Sequence, residues 1–391
     1  MHPTAKLALT AALLAASVAA HALDKVVFAT NWKAQAAHGG FYQAVADGTY
    51  RKYGLEVEIR QGGPQVNNRP LLPAGRIDFL MTGNLLHSFD NVKNGVPVIA
   101  VASMFQKDPQ ALIAHPDGGY AKFEDLAKVP VAFIAKDAQF SWWQWLKADY
   151  AFKDEALRPY NYNVAPFLAD KHSLQQGYAV EEPITIAKQG GFKPAVFLLA
   201  DHGYSTYSTT IEARTDTVKN KPDLVKRFVE ASIVGWNNYL YGDRKAADAL
   251  MMKDNPDMSA ELIAKSLQLM KDMGIVDSGD AQTLGIGAMK PERIKDFYDK
   301  MVRAGLYKAG DVDLAKVATM QFVNQGVGVA LRGMRPDVLQ PVDQGVGGGG
   351  GGVGDRHGRT SSYARRRSSG PVDVAPSGPS RWATRCVSCR P

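Results

Sequence analysis

The sequence predicts an α/β protein of two lobes, each a mostly parallel sheet flanked by helices, with a ligand cleft between them. Three observations predict this. Strand-like and helix-like segments alternate from Lys25 onward, and a second such series opens at Gln110. A late Thr/Tyr/Ile-rich strand, YSTYSTTIEAR (204–214), is then followed by helical sequence alone. One lobe, a second lobe inserted into it, and a return to the first is the chain order these features predict.

The elements follow in order. KVVFAT (25–30) is a short apolar strand. A helix is predicted from about Gly40 to Lys52, because Phe41 and Val45, and then Tyr42, Ala46 and Tyr50, recur at i, i+4 spacing. LEVEIR (55–60) is a strand with its charges on one face, and a helical segment is predicted over 64–74. RIDFLMT, a helix near Leu85 to Lys93 and VPVIAVASM complete the first series. The second runs through QALIAHPDG, FEDLAK, VPVAFIA, the aromatic helix FSWWQWLKADYAF, YNYNVAP, LADKHSLQQGYAVEEPITIAKQGG and PAVFLLA. Beyond Arg214, KPDLVKRFVEASIVGWNNYLY, RKAADALMMK, SAELIAKSLQLMKDM, KPERIKDFYDKMVRAG and DLAKVA all read as helices.

The two ends differ in character from the centre. MHPTAK is a short basic start, LALTAALLAASVAA an apolar run, and Ala20-His21-Ala22 a small-x-small cleavage site. Residues 1–22 are therefore expected to be a cleaved signal peptide and the mature protein to be exported, which places it in the periplasm. Lobe 1 is expected to comprise 23–107 and 205–331, and lobe 2 residues 108–204. From Arg332 the composition turns to Gly, Ser, Pro and Arg without apolar periodicity, so 332–391 is expected to be a disordered tail. Ten Arg, no Lys and four Asp in that tail carry six of the seven net positive charges. The loss of Lys beside a surge of Arg and Gly fits GC-rich DNA translated out of frame, and a basic tail that binds an acidic surface is the other reading. The basic balance belongs to the tail, so no nucleic-acid partner is expected of the fold.

Several chemistries are disfavoured by composition. Cys386 and Cys389 are the only cysteines, which leaves 23–331 without thiol nucleophiles, thiolate metal sites or disulfides. The eight His are dispersed, with no HExxH pair, so no metal site and no cofactor are expected. LGIGAM has two of the three dinucleotide-loop glycines, and neither a P-loop nor GxSxG is present.

NWKAQAAHGGFYQAVADGTYRKYGLEVEI (31–59) resembles the opening of periplasmic substrate-binding proteins of ABC importers, in the branch that includes thiamine-pyrimidine-precursor, nitrate, sulfonate and taurine binders. GRIDFLMTGN (75–84), QQGYAVEEP (175–183) and STTIEAR (208–214) extend the resemblance over roughly 24–330. It implies the type II periplasmic-binding-protein fold and capture of a small molecule for permease and ATPase subunits at the inner membrane, with no reaction catalysed. QQGYAVEEP is more similar to the pyrimidine-precursor members, which implies a hydroxymethyl- or formylamino-pyrimidine ligand. The alternatives are a nitrate, sulfonate or taurine binder, a sensor partner of the same fold, and a pyrimidine-synthase-like enzyme. Fungal relatives of that last kind use a His and a Cys-rich iron-binding motif, and the Cys-free core and export signal argue against it.

Candidate ligand-binding residues lie after the predicted strands. Asn31 and Trp32 follow the first, where an indole can stack on a flat ring while an amide selects its edge. Burial of Trp32 in the core is the other reading. His38 and Gly39, with Gly40, sit at a helix start with free N–H groups. Thr82, Gly83 and Asn84 follow the third strand, although Asn84 reads equally well as a helix cap. Ser141 and Trp142 open the aromatic helix. Trp142, Trp143 and Trp145 cannot all share a face, so at least one belongs to the core. Tyr178 precedes Glu181 and Glu182. A carboxylate there suits an aminopyrimidine, whose ring nitrogen and exocyclic amine meet one acceptor pair, and suits an anion poorly. A solvated helix start explains the same acids. Tyr204, with Tyr207, lies near the return to lobe 1 as a hinge or pocket residue.

Overall fold

Alternation in the sequence becomes two five-stranded sheets. A computed structural model describes residues 22–331 apart from Pro64, Gln65 and Tyr162; the predicted signal segment up to His21 and the tail from Arg332 lie outside the described residues. The chain lays down β1 (Asp24–Ala29), β2 (Leu55–Arg60), β3 (Phe79–Asn84) and β4 (Val98–Phe105). It crosses over to build β5 (Gln110–Ala114), β6 (Val131–Ile134), β7 (Leu157–Pro159), β8 (Ser173–Tyr178) and β9 (Ala195–Leu198), and returns as β10 (Ser208–Arg214).

The first sheet has the order β2-β1-β3-β10-β4 and the second β7-β6-β8-β5-β9. β1 pairs parallel with β2 and β3, whereas β10 runs antiparallel to β3 and β4. In the second sheet β6 pairs parallel with β7 and β8, and β5 runs antiparallel to β8 and β9. Each sheet is thus mostly parallel with one reversed strand. The reversal of β10 follows from the crossover: the chain leaves at Phe105 and comes back at Ser208 on the same rung. From that rung it can only run back along β4.

Helices of eight residues or more are numbered here: α1 (Gly39–Ala46), α2 (Leu85–Lys93), α3 (Trp142–Tyr150), α4 (Glu182–Gly190), α5 (Pro222–Tyr241), α6 (Lys245–Asp254), α7 (Ala260–Asp272) and α8 (Pro291–Arg303). Their starts are legible in capping chemistry. Asn84 Oδ1 accepts from Leu86 N at 3.1 Å and Ser259 Oγ from Leu262 N at 3.2 Å, while Pro222 and Pro291 open α5 and α8. The helix expected from Gly40 to Lys52 is interrupted: Gly48 takes φ 74°, and Asp47 Oδ1 accepts from Thr49 N to start a separate turn, Thr49–Lys52. Over 64–74 the described residues form no α-helix, only the 3-10 turn Arg69–Leu71. Asn68 Nδ2 donates to Thr30 O at 3.0 Å and Gln61 O at 3.3 Å, which ties this stretch to the ends of β1 and β2. DLAKVA, also expected to be helical, forms only the 3-10 turn Leu314–Lys316.

Aromatic rings fill the space between the first sheet and α1 and α5. Phe79 stacks on Phe228 with centroids 4.0 Å apart, and Phe28 meets Phe41 at 4.6 Å. α1 and α5 touch through glycine: a Cβ on Gly40 would lie 2.2 Å from the Trp236 ring, and one on Gly235 would lie 2.3 Å from Gly40 O. The stretch His38-Gly39-Gly40 is therefore shaped first by helix packing.

Candidate functional site

A cavity of about 750 Å³ opens where the carboxyl ends of β1, β3 and β8 converge. Asn31 and Trp32 enter it directly after β1, Thr82 and Gly83 at the end of β3, and Gly177 and Tyr178 at the end of β8. The turn after β1 is held from both sides. Thr30 Oγ1 donates to Trp32 O at 2.7 Å and Gly62 N to the same carbonyl at 3.2 Å. Gly62 has to be glycine for this approach, since a Cβ would meet the Asn31 carbonyl carbon at 2.5 Å.

Among the sequence-predicted residues, Asn31, Trp32, His38, Thr82, Gly83, Tyr178, Glu181 and Glu182 come together around this cavity. Five do not line it, each for a visible reason. Gly39 lies against α5, where a Cβ would overlap the Tyr239 ring at 2.1 Å. Asn84 is the α2 cap, and its amide donates to Asp108 Oδ2 at 3.0 Å. Ser141 precedes α3 and donates to Ala138 O at 3.3 Å. Trp142 is buried, as are Trp143 and Trp145, whose indoles donate to Asp154 and Asp149 at 2.9 and 2.8 Å. α3 is covered on more than one face, so all three rings enter the core. Tyr204 is buried between Trp145 and Phe297, at centroid distances of 5.3 and 5.2 Å.

Two neutral imidazoles belong to the wall on the first-sheet side. His38 is fully buried in the cavity floor, with both ring nitrogens lacking a hydrogen-bond partner among the described residues. Burial lowers its pKa to about 3, so it is uncharged at neutral pH. His87, in the first turn of α2, is lowered to about 4 by burial and then by the charge of Arg69. Thr209 also lines this wall with φ 50°, a left-handed conformation that is costly for a β-branched residue and typical of constrained sites.

The facing wall is acidic. Glu182 Oε2 accepts from Tyr178 N at 2.7 Å and Oε1 from Tyr160 OH at 3.2 Å. Its side chain lies across Gly177, where a Cβ would collide with Glu182 Cβ at 2.7 Å. Burial, and next the charge of Glu181, raise Glu182 to about 7; burial raises Glu181 as well. A carboxyl poised at neutrality can act as donor and acceptor together. Gln110, at the start of the reversed strand β5, adds a buried Oε1 with no hydrogen-bond partner among the described residues.

Sequence reasoning missed Arg69, His87, Gln110, Tyr160 and Thr209, all of which line the cavity. His87 was within reach, since it lies in the helical turn that follows Thr82-Gly83-Asn84. The others sit on loops or on reversed strands, which carry no local signal for facing the cleft.

Two mixed five-stranded sheets joined by crossovers, with a polar cavity at their strand ends, define the class: this is the periplasmic-binding-protein fold. The putative periplasmic sulfonate-binding protein SsuA from Methylobacillus flagellatus KT shares it, with a TM-score of 0.55 at 13% identity over 80% of this chain and 96% of that one. The chain belongs to the NMT1/THI5-like family, whose pattern matches residues 35–246. Among its relatives, the riboflavin-binding protein RibY of Chloroflexus aurantiacus is 25% identical over 78% of this chain and 87% of RibY. The 4-amino-5-hydroxymethyl-2-methylpyrimidine phosphate synthase THI11 of Saccharomyces cerevisiae is 21% identical over 63% of this chain and 75% of its own length.

Proposed function

We propose that this protein is the periplasmic solute-binding component of an ABC importer and captures a planar nitrogen heterocycle, with a hydroxymethyl- or formylamino-pyrimidine precursor of thiamine as the preferred ligand. In this reading 23–107 with 205–331 and 108–204 are the two lobes, and a permease and ATPase at the inner membrane receive the ligand. The observation that carries it is that the carboxyls of Glu181 and Glu182 line one cavity together with Trp32. A neutral aminopyrimidine edge presents a ring-nitrogen acceptor beside an amine donor, and a protonated Glu182 presents the matching donor and acceptor. Trp32 supplies a face for stacking. Binding without catalysis fits a core free of cysteine between residues 23 and 331.

A larger flavin-type ring is the second reading. It is favoured by the cavity volume of about 750 Å³, which exceeds what one pyrimidine ring needs, and by the relationship to RibY.

Titration of tryptophan fluorescence tests both, using hydroxymethyl- and formylamino-pyrimidines, riboflavin, taurine, an alkanesulfonate and nitrate. Saturable quenching by a pyrimidine is expected, and its affinity is expected to depend on pH. Glu182 keeps its proton below about 7 and loses it above. Pyrimidine affinity should therefore hold steady below neutrality and fall by about tenfold per pH unit above it. Quenching by riboflavin alone would select the flavin reading, and a response confined to the anions would refute both.

A further inference from the structure

We propose that the cavity contains a second polar subsite, at Arg69 and His87, which binds a compact oxyanion carried by the ligand opposite the carboxyl wall. The inference rests on the reading of the cavity as a heterocycle site and extends it to a bipolar ligand, with an amino-heterocycle at one end and a carboxylate, phosphate or sulfonate at the other.

The lining cations of this cavity lie on the first-sheet side, with Asp257, and its two adjacent glutamates on the other. Glu181 and Glu182 stand on the second-sheet side, and no Lys or Arg is among the described residues lining that side. On the first-sheet side the lining cations are Lys33 and Arg69. Lys33 is spent on Asp257, Nζ to Oδ2 at 3.0 Å. Arg69 makes one long hydrogen bond, Nη2 to Asn91 Oδ1 at 3.4 Å, and no ion pair among the described residues. Its guanidinium therefore retains most of its donors for a planar or tetrahedral oxyanion.

Arg69 is exposed, and the backbone beneath it is fixed. Asn68 is tied to Thr30 O and Gln61 O, and Arg69 N donates to Asn67 Oδ1 at 3.1 Å, so the backbone that carries Arg69 is anchored to the ends of β1 and β2. Asn91 in α2 donates its amide to both oxygens of the buried Glu212, at 3.1 and 3.0 Å, which turns its own oxygen toward Arg69. His87 stands in the same helix, and its Nδ1 is buried without a partner of ordinary geometry, the Asn84 backbone offering only a weak one. An uncharged imidazole beside Arg69 can donate one N–H to an oxyanion, whereas a second cation there would repel the first. The cavity volume of about 750 Å³ also exceeds what a single ring fills, which leaves room for a substituent on it.

The test compares 4-amino-2-methylpyrimidine-5-carboxylate with its 5-carboxamide, a pair matched in size and differing in charge, by calorimetry on the full-length protein. The carboxylate is expected to bind about tenfold more tightly at low ionic strength, with the advantage shrinking as salt is raised toward 1 M. Arg69→Gln is expected to bring the ratio of the two affinities to about one, and Arg69→Lys to keep most of it, since charge is retained while the fork is lost. Inorganic sulfate and phosphate are titrated alone, with thermal unfolding as readout, to separate a free anion from one attached to the ring. A ratio near one in the wild type would overturn the subsite and leave the pyrimidine reading standing. Failure of both pyrimidines to bind, with sulfate raising the Tm of the wild type and not of Arg69→Gln, would uphold the subsite and sink the pyrimidine reading. No response to any of the four compounds would overturn both.

Discussion

Gly235→Ala lowers stability by about 3 kcal/mol, a fall in Tm of about 5 °C for a protein of this size. In an exposed helix the same change would stabilise by about 1 kcal/mol, because alanine is the better helix former. Here the sign reverses. The new Cβ would sit 2.3 Å from Gly40 O and 2.7 Å from Ala44 Cβ, and the carbonyl belongs to the backbone of α1. No side-chain rotation relieves such an overlap, so α1 has to move away from α5. That movement would also loosen Trp236 and Tyr239, which occupy the spaces left by Gly40 and Gly39. Urea denaturation monitored by circular dichroism checks the expectation; wild-type stability or better would mean that the two helices do not pack this closely.

The glycine pair shows where sequence reading stopped. His38-Gly39-Gly40 stood out between a strand and a helix, and of the three His38 lines the cavity. That the glycines answer to rings from a helix two hundred residues away was not readable, because no local pattern encodes what packs against a missing Cβ. Strand β2 occupies the expected 55–60 and helix α2 the expected Leu85 to Lys93, since alternation and i, i+4 spacing are local properties. The expectation of a helix over 64–74 gave way to side-chain hydrogen bonds from Asn68 to Thr30 and Gln61, which local pattern does not reveal. The aromatic helix α3 was readable as a helix. How many of its faces are covered depends on distant neighbours such as Phe297, through Tyr204 and Trp145. Within the cavity, the residues that follow parallel strands were legible from the general placement of ligands at strand ends. Gln110 enters from the opposite strand end because β5 is reversed, and Arg69 comes from a turn expected to be helical.

Glu182→Ala is expected to lower affinity for the proposed pyrimidine ligand by about 100-fold, whereas Glu182→Gln is expected to keep it within a few-fold and to remove the fall expected above neutral pH. The two substitutions separate size from protonation. Alanine removes both the donor and the acceptor proposed to face the ring, and with them the carboxyl that accepts from Tyr178 N at 2.7 Å and Tyr160 OH at 3.2 Å. Glutamine reproduces the acid form: its carbonyl can accept from Tyr178 N, its amide can donate toward Tyr160, and one donor and one acceptor remain for the ligand. It has no proton to lose as pH rises through 7, where burial and Glu181 have set Glu182. Calorimetry from pH 6 to 9 on all three proteins checks this. A Gln variant as weak as the Ala variant would show that the ligand is held by a carboxylate, and a pH profile unchanged in the Gln variant would remove Glu182 as its origin.

The return of the chain at Ser208, opposite Phe105, sets a timetable for synthesis. β4 lies at the edge of the first sheet, where β10 is the one strand that pairs with it among the described residues and single bridges to Gly287 and Ala318 come later still in the chain, so it has no strand beside it until Arg214 has emerged. By then every strand of the second sheet has been available for pairing. The inserted sheet can close while its host is still open, and a chain cut short anywhere between Gln110 and Tyr207 strands β4 outside the sheet it was made for.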